Sequence, residues 1–145
     1  MDFFRAMEIT ASGLNAERTR MNALASNLAN ARTTRTEAGG PYKRLDPVFQ
    51  AVTMAAKYQE LSSDPAGQAT SMVQVKGIQE DQSPPQQVYD PSHPDADPNG
   101  YVAMPNVNVV QEMVNMITAS RAYEAGVTVM QTVKGMARSA LSIGG

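Results

Sequence analysis

The sequence predicts a mainly α fold with a small β element, in which long N- and C-terminal helices form an antiparallel coiled-coil-like pair and an extended, Pro-rich middle carries short strands. Three observations predict it. All nine prolines lie between Pro41 and Pro105, so both ends lack the residue that breaks a helix interior. Apolar residues recur every seven positions at each end, the repeat of a helical seam. Only 6% of the 145 residues are aromatic, which leaves room for one modest domain with few large core anchors. The chain thus divides into residues 1–33, an N-terminal helix of an inner helical domain; 34–105, an extended linker and small β middle segment; and 106–145, the C-terminal helix of the same inner domain.

In the first segment Met7, Leu14, Met21 and Leu28 form one seven-residue row, and Phe4, Ala11 and Ala25 take the companion positions three residues earlier, interrupted at Arg18. A helix from about residue 3 to residue 30 would be roughly 42 Å long. The middle offers strand candidates at Tyr42–Leu45, Val48–Val52, Met72–Ile78, Val88–Tyr89 and Tyr101–Met104, separated by turn clusters such as SSDPAG and DQSPPQQ. The polar stretch Ser62–Ser71 is expected to be mobile. Toward the C-terminus Val109, Met116, Tyr123, Met130 and Ala137 form a row, with Met113, Val127 and Leu141 in the companion row and Ser120 and Lys134 interrupting it. Asn108 is placed to cap a helix over about 109–142. The weakest stretch is Val127–Val133, which also alternates like a strand and follows Gly126, a residue that costs a helix about 1 kcal/mol relative to Ala.

A single stripe suits an ordinary amphipathic helix folded on its own core; two matched stripes favour an antiparallel pair. Two helices alone leave outward apolar surface, so neighbouring copies or partners are expected to cover it. The ends are expected to be largely disordered before assembly, since isolated helices owe most of their stability to tertiary packing.

Little in the sequence suggests chemistry. There is no cysteine, hence no disulfide, thiolate nucleophile or iron–sulfur ligation. The GxSxG elbow, SxxK and phosphate-loop signatures are missing. No catalytic, cofactor-binding or metal-ligating residue is assigned, and no enzyme activity is expected. DADPNG at 95–100 opens like a calcium-binding loop, but Asn106 stands where a bidentate Glu is required and prolines stiffen the run, so a turn in which Asp and Asn cap their own backbone suits it better. His93 with Asp90, Asp95 and Asp97 allows a metal site to be imagined; a surface histidine in an acidic loop is the simpler reading.

Net charges of +3, −6 and +1 over residues 1–44, 45–105 and 106–145 put the acidic part in the middle, which argues against a central nucleic-acid groove. Arg18, Arg20, Arg32, Arg35, Lys43 and Arg44 then suit a solvated face or the acidic middle of a neighbouring copy. The N-terminus has Arg5 and Glu8 among its few apolar residues, and no uncharged apolar run of roughly 18 residues follows, so neither a cleaved secretory signal nor a membrane insertion is expected. A calcium- or metal-regulated module, and a DNA- or membrane-associated helical protein, are the competing classes.

Residues 22–34, NALASNLANARTT, resemble the N-terminal signature shared by flagellar rod, hook and hook-associated proteins, with SNLAN at Ser26–Asn30 and paired threonines at Thr33 and Thr34. GGPYKR at 39–44, DPSHPDADPNGYVAMPNVN at 90–108 and ITASRAYEAGVTVM at 117–130 resemble the proximal-rod branch of that family. Arg32 and Gly126 depart from it, standing where a short polar residue and Asn are usual. The resemblance implies a structural subunit that assembles helically through its terminal helices into the hollow drive shaft of the flagellar basal body, within the periplasm. Its partners would be other copies of itself, other proximal and distal rod proteins, the basal adaptor protein at the MS ring, and the flagellar type III export apparatus. The assembly interface is assigned to Phe4, Met7, Leu14, Met21, Asn27, Leu28, Asn30, Met113, Met116, Tyr123, Val127, Met130 and Leu141. Asn27 and Asn30 fall off the apolar seam, which makes them solvated or helix-ending residues by heptad position; the resemblance has them face neighbouring subunits or shape the turn out of the helix.

Overall fold

The computed structural model of the chain describes residues 3–57 and 70–144. Two long helices enclose a β-containing middle. Helix α1 spans Phe3–Ala29 and helix α3 spans Val109–Ile143, about 40 Å and 52 Å at 1.5 Å per residue. Asn108 has an extended backbone and its side chain accepts from the Gln111 N–H, satisfying one of the donors that a helix start leaves free. Val127–Val133 is helical: the seven-residue apolar row continues through it, and burial along that row overrides the local alternation.

Between the helices, β1 (Leu45–Thr53) leads into the single turn α2 (Met54–Lys57), and β2 (Ser71–Glu80) returns antiparallel to β1 with Leu45 opposite Glu80 and Thr53 opposite Ser71. A bulge between Val48 and Phe49 leaves Lys76 unopposed. A second antiparallel pair joins β3 (Gln86–Tyr89) to β4 (Tyr101–Met104). The middle is therefore two separate two-stranded ribbons. The candidate strand at Tyr42–Leu45 is corrected: only Leu45 is in a strand, and Tyr42–Arg44 are irregular, with the Tyr42 and Arg44 side chains turned to the polar cluster described below and Lys43 lying 3.6 Å from Glu80. The Ser62–Ser71 stretch lies, up to Ala69, outside the described residues.

Leu14 meets Gly126 and Asn27 meets Glu112, so α1 and α3 run antiparallel. The β1–β2 ribbon lies against another side of α1, where the Val73 N–H donates to Ser12 Oγ and Lys57 Nζ lies 3.3 Å from Glu8. A two-stranded ribbon is marginal alone; here Met54 and Met72 are buried at the end where Thr53 stands opposite Ser71, anchoring it there. Where α1 is covered on both sides, Ala16, Ala23, Leu24, Asn27, Glu112 and Ala119 are buried.

Candidate assembly interface

Among the buried and half-buried positions of α3, 112, 116, 119, 123, 126, 130, 133 and 137 follow the alternating four–three spacing of a helix-pair seam, with half-buried Asn115, Ser120 and Val127 beside them. Met116, Tyr123, Met130 and Ala137 belong to the predicted row. The partner row is Glu112, Ala119, Gly126 and Val133 rather than the one through Met113 and Leu141. A Cβ on Gly126 would stand 2.8 Å from Leu14 Cδ2, so the glycine is the notch into which that leucine packs. Small residues at 119 and 126 bring the helices close, which a search for large apolar side chains overlooks. Of the predicted companions, Val127 is half-buried while Met113 and Leu141 are exposed.

On α1, Met7, Leu14, Met21 and Leu28 are half-buried. Their companion row is corrected: Phe4 is 76% exposed, and Ala11 and Ala25 are exposed as well. Asn15, Arg18 and Asn22 stand on the same outward face, a polar run that marks it as solvent-facing more clearly than alanine marks it as core.

Asn27 is also corrected. It is 0% exposed, so it neither faces solvent nor presents its side chain to a neighbouring subunit. Its Nδ2 donates to the Leu45 carbonyl and to Glu112 Oε2, each at 2.9 Å, and its Oδ1 accepts from Tyr42 Oη at 2.9 Å and from the Leu45 N–H at 2.8 Å. All four hydrogen-bonding positions of a side-chain amide are filled. Glu112, 1% exposed, accepts in addition from Arg44 Nε at 2.7 Å, a short charge-assisted bond, and its place in the first turn of α3 sets its carboxylate at the positive end of the helix dipole. The Arg44 N–H donates to Asn106 Oδ1, whose Nδ2 donates to the Asp81 and Ser83 carbonyls. Desolvation pulls the Arg44 pKa down, but the hydrogen bond to Glu112 and the charges of Glu112, Asp46 and Asp81 outweigh it, holding the guanidinium above its ordinary value.

These residues tie the end of α1, the start of β1, the end of β2 and the entry to α3 into one cluster. Tyr42, Arg44, Asn106 and Glu112 are not legible as its members by spacing, because they come from two stretches that lie 62 or more residues apart. Asn30 is half-buried at the exit of α1: its Nδ2 donates to the Ser26 carbonyl and its Oδ1 accepts from Thr33 Oγ1, so it shapes the turn leaving the helix.

The 90–100 loop returns to this exit, with Thr34 Oγ1 donating to Asp95 at 2.7 Å and Arg35 lying 3.9 Å from it. Asp97 accepts from the Asn99 and Tyr101 N–H groups, and His93 Nδ1 accepts from the Asp95 N–H. Asp90 accepts from the Ser92 hydroxyl and N–H, which hold its carboxyl below the usual value. Gly100 ends the loop at φ +84, with the Tyr89 ring 2.9 Å from where a Cβ would stand, a place that only glycine fills without strain.

On the outside of α3, Val110, Met113, Val114 and Ile117 form an i, i+3, i+4, i+7 stripe, each more than half exposed. Leu141 and Ile143 near the end of that helix are 78% and 86% exposed. No helix among the described residues is long and apolar enough to cross a membrane.

Comparison with known proteins agrees with this arrangement. Residues 7–35 match the family model described as Flagella basal body rod protein, and residues 99–143 match Flagellar basal body rod FlgEFG protein C-terminal. The chain is 43% identical over 144 residues to flagellar basal-body rod protein FlgC of Salmonella typhimurium, covering 99% of each. It is 41% identical over 152 residues to the FlgC protein of Borreliella burgdorferi, covering 99% of this chain and 98% of the relative. With FlgC of Bacillus subtilis it shares 41% over 154 residues, covering 99% of each.

Proposed function

This chain belongs to the flagellar basal-body rod protein FlgC family, and on that premise we propose that it builds the proximal part of the rod by helical stacking of its terminal helices around a hollow shaft. It is a structural subunit of the flagellar basal-body rod. Its work is packing rather than catalysis. Its contacts are other copies of itself, neighbouring proximal and distal rod subunits and the adaptor protein at the MS ring, and it reaches the periplasmic rod through the flagellar type III export apparatus.

The observation that carries this reading is the outward stripe Val110, Met113, Val114 and Ile117. Four adjacent apolar side chains on one helix face are costly to leave in water and mark an interaction surface. Phe4 and Leu141 extend the exposed apolar surface at the other end of the helix pair, while Met7, Leu14, Met21, Leu28, Met116, Tyr123, Val127 and Met130 hold the pair in the shape it presents. Met113→Asp and Ile117→Asp test the proposal: both positions are exposed, so the free subunit should keep its circular dichroism and solubility while cells lose motility and their basal bodies lack a rod. Full motility with both substitutions present would refute assembly through this face.

A further inference from the structure

A groove of about 570 Å³ runs between α1, α3 and the β1–β2 ribbon, walled by Gly13, Leu14, Phe49, Val73, Ala122 and Val129. Its lining is apolar except chiefly for Glu17 and Thr10. One Glu17 oxygen, Oε2, is buried and has no hydrogen-bond partner, while the other lies 3.9 Å from Arg20 Nη1. A carboxylate oxygen shut away from water and left unpaired is expensive; the Glu17 side chain as a whole is 26% exposed, so a turn of the carboxylate would present that oxygen to a donor entering the groove.

The chain carries a segment of matching chemistry. With Leu14 level with Gly126, Phe3 falls level with about Ala137, so residues 138–143 overhang the first described turn of α1. On this end of α3, Lys134, Arg138 and Leu141 share one face at i, i+4 and i+7 and are exposed. Neither base makes an ion pair among the described residues. Arg138 lies twelve residues beyond Gly126, roughly 18 Å along the helix, out of reach of Glu17 in the same chain.

We propose that the overhanging end of α3 of one copy docks in the groove of the next, with Leu141 against Phe49 and Val73 and with Arg138 donating to Glu17. The inference rests on the rod-subunit reading, since it needs copies side by side, and it adds a direction to it. Tail-into-groove contact is heterologous, and a heterologous contact whose rotation does not close a ring propagates as a helix, the form a rod needs.

The chain contains no cysteine, which makes disulfide trapping clean. Flagellated cells producing Phe49→Cys and Leu141→Cys subunits together should yield, on mild oxidation of isolated basal bodies, a disulfide-linked dimer that neither variant forms alone. Glu17→Arg and Arg138→Glu should each lower the motile fraction about tenfold, and combining them in one chain should restore it. Motile cells whose cysteine variants give no mixed dimer would overturn the proposal, as would charge reversals that leave motility unchanged. Should Met113→Asp abolish motility while the cross-link and the charge swap are both silent, only the groove contact fails. A Met113→Asp, Ile117→Asp strain that swims normally would instead remove the rod-assembly reading beneath it.

Discussion

Asn27 shows how a polar residue can be indispensable without touching a partner. It sits in the SNLAN run, off the apolar heptad row, and spacing alone sends it to solvent. What spacing cannot give is that Leu45 and Glu112, 18 and 85 residues away, converge on it. Replacing it with Ala would strand the Leu45 N–H and carbonyl and one Glu112 oxygen, and would leave the Tyr42 hydroxyl only its longer bond to Ser26 Oγ. Each buried polar group left unpaired costs about 1–3 kcal/mol, and partial water entry would hold the total to about 3 kcal/mol. Asn27→Ala should therefore lower the thermal midpoint and the soluble yield together with motility, whereas a residue reserved for subunit contacts would lower motility alone. An unchanged melting curve would contradict the internal role. Tyr42→Phe removes only the hydroxyl donor and should cost about 1 kcal/mol by the same measurement.

At the level of elements, the two helices and strand β4 were legible because their signals are local: absence of proline, seven-residue rows, the Asn108 cap, and Tyr101–Met104 between turn residues. The phase of the seam was harder to read. Ala11 and Ala25 fit the heptad count though alanine is at ease on either face, while Ala119 and Gly126 escape it because they are small. Backing of α1 by the β1–β2 ribbon is hidden for a different reason, since it depends on Val73 meeting Ser12 and Lys57 meeting Glu8 across long stretches of chain.

Gly126 offers a quantitative check of the seam. In a free helix Gly→Ala gains about 1 kcal/mol, but here the added Cβ would meet Leu14 Cδ2 at 2.8 Å. The obstacle is the end of a flexible side chain, so Leu14 can turn aside at a cost that offsets the helical gain. Gly126→Ala alone should thus change stability by less than about 1 kcal/mol. In the background of Leu14→Ala the clash is gone and the same substitution should become stabilising by about 1 kcal/mol, a coupling that a double-mutant cycle in urea reads directly. Asn at this position would place its Cβ at the same 2.8 Å from Leu14 Cδ2 and add an amide beyond it, so Gly126→Asn should destabilise this chain unless Leu14 is also shortened. Additive effects of Leu14→Ala and Gly126→Ala would mean that the two residues do not meet.

Across the whole molecule stability should be graded along the helix pair. The end holding Asn27, Glu112, Leu24, Val102 and Val107 is buried and hydrogen-bonded from several elements. The opposite end presents Phe4, Met136, Leu141 and Ile143 to solvent, and there fewer residues are buried than at the polar cluster. Local opening follows buried apolar contact and loses cost where that contact thins. Amide hydrogen exchange on the purified subunit should therefore be slowest over residues 16–27 and 112–119 and fastest over 3–10 and 134–143. This refines the expectation that the ends are largely disordered before assembly: disorder should be confined to the end away from the polar cluster. Incorporation into the rod should then slow exchange most at 134–143, since burial by a neighbour supplies what the free subunit lacks there. Uniform protection along both helices in the free subunit would show that the pair is stable without neighbours, and equal, rapid exchange at residues 16–27 would show that the polar cluster does not hold before assembly.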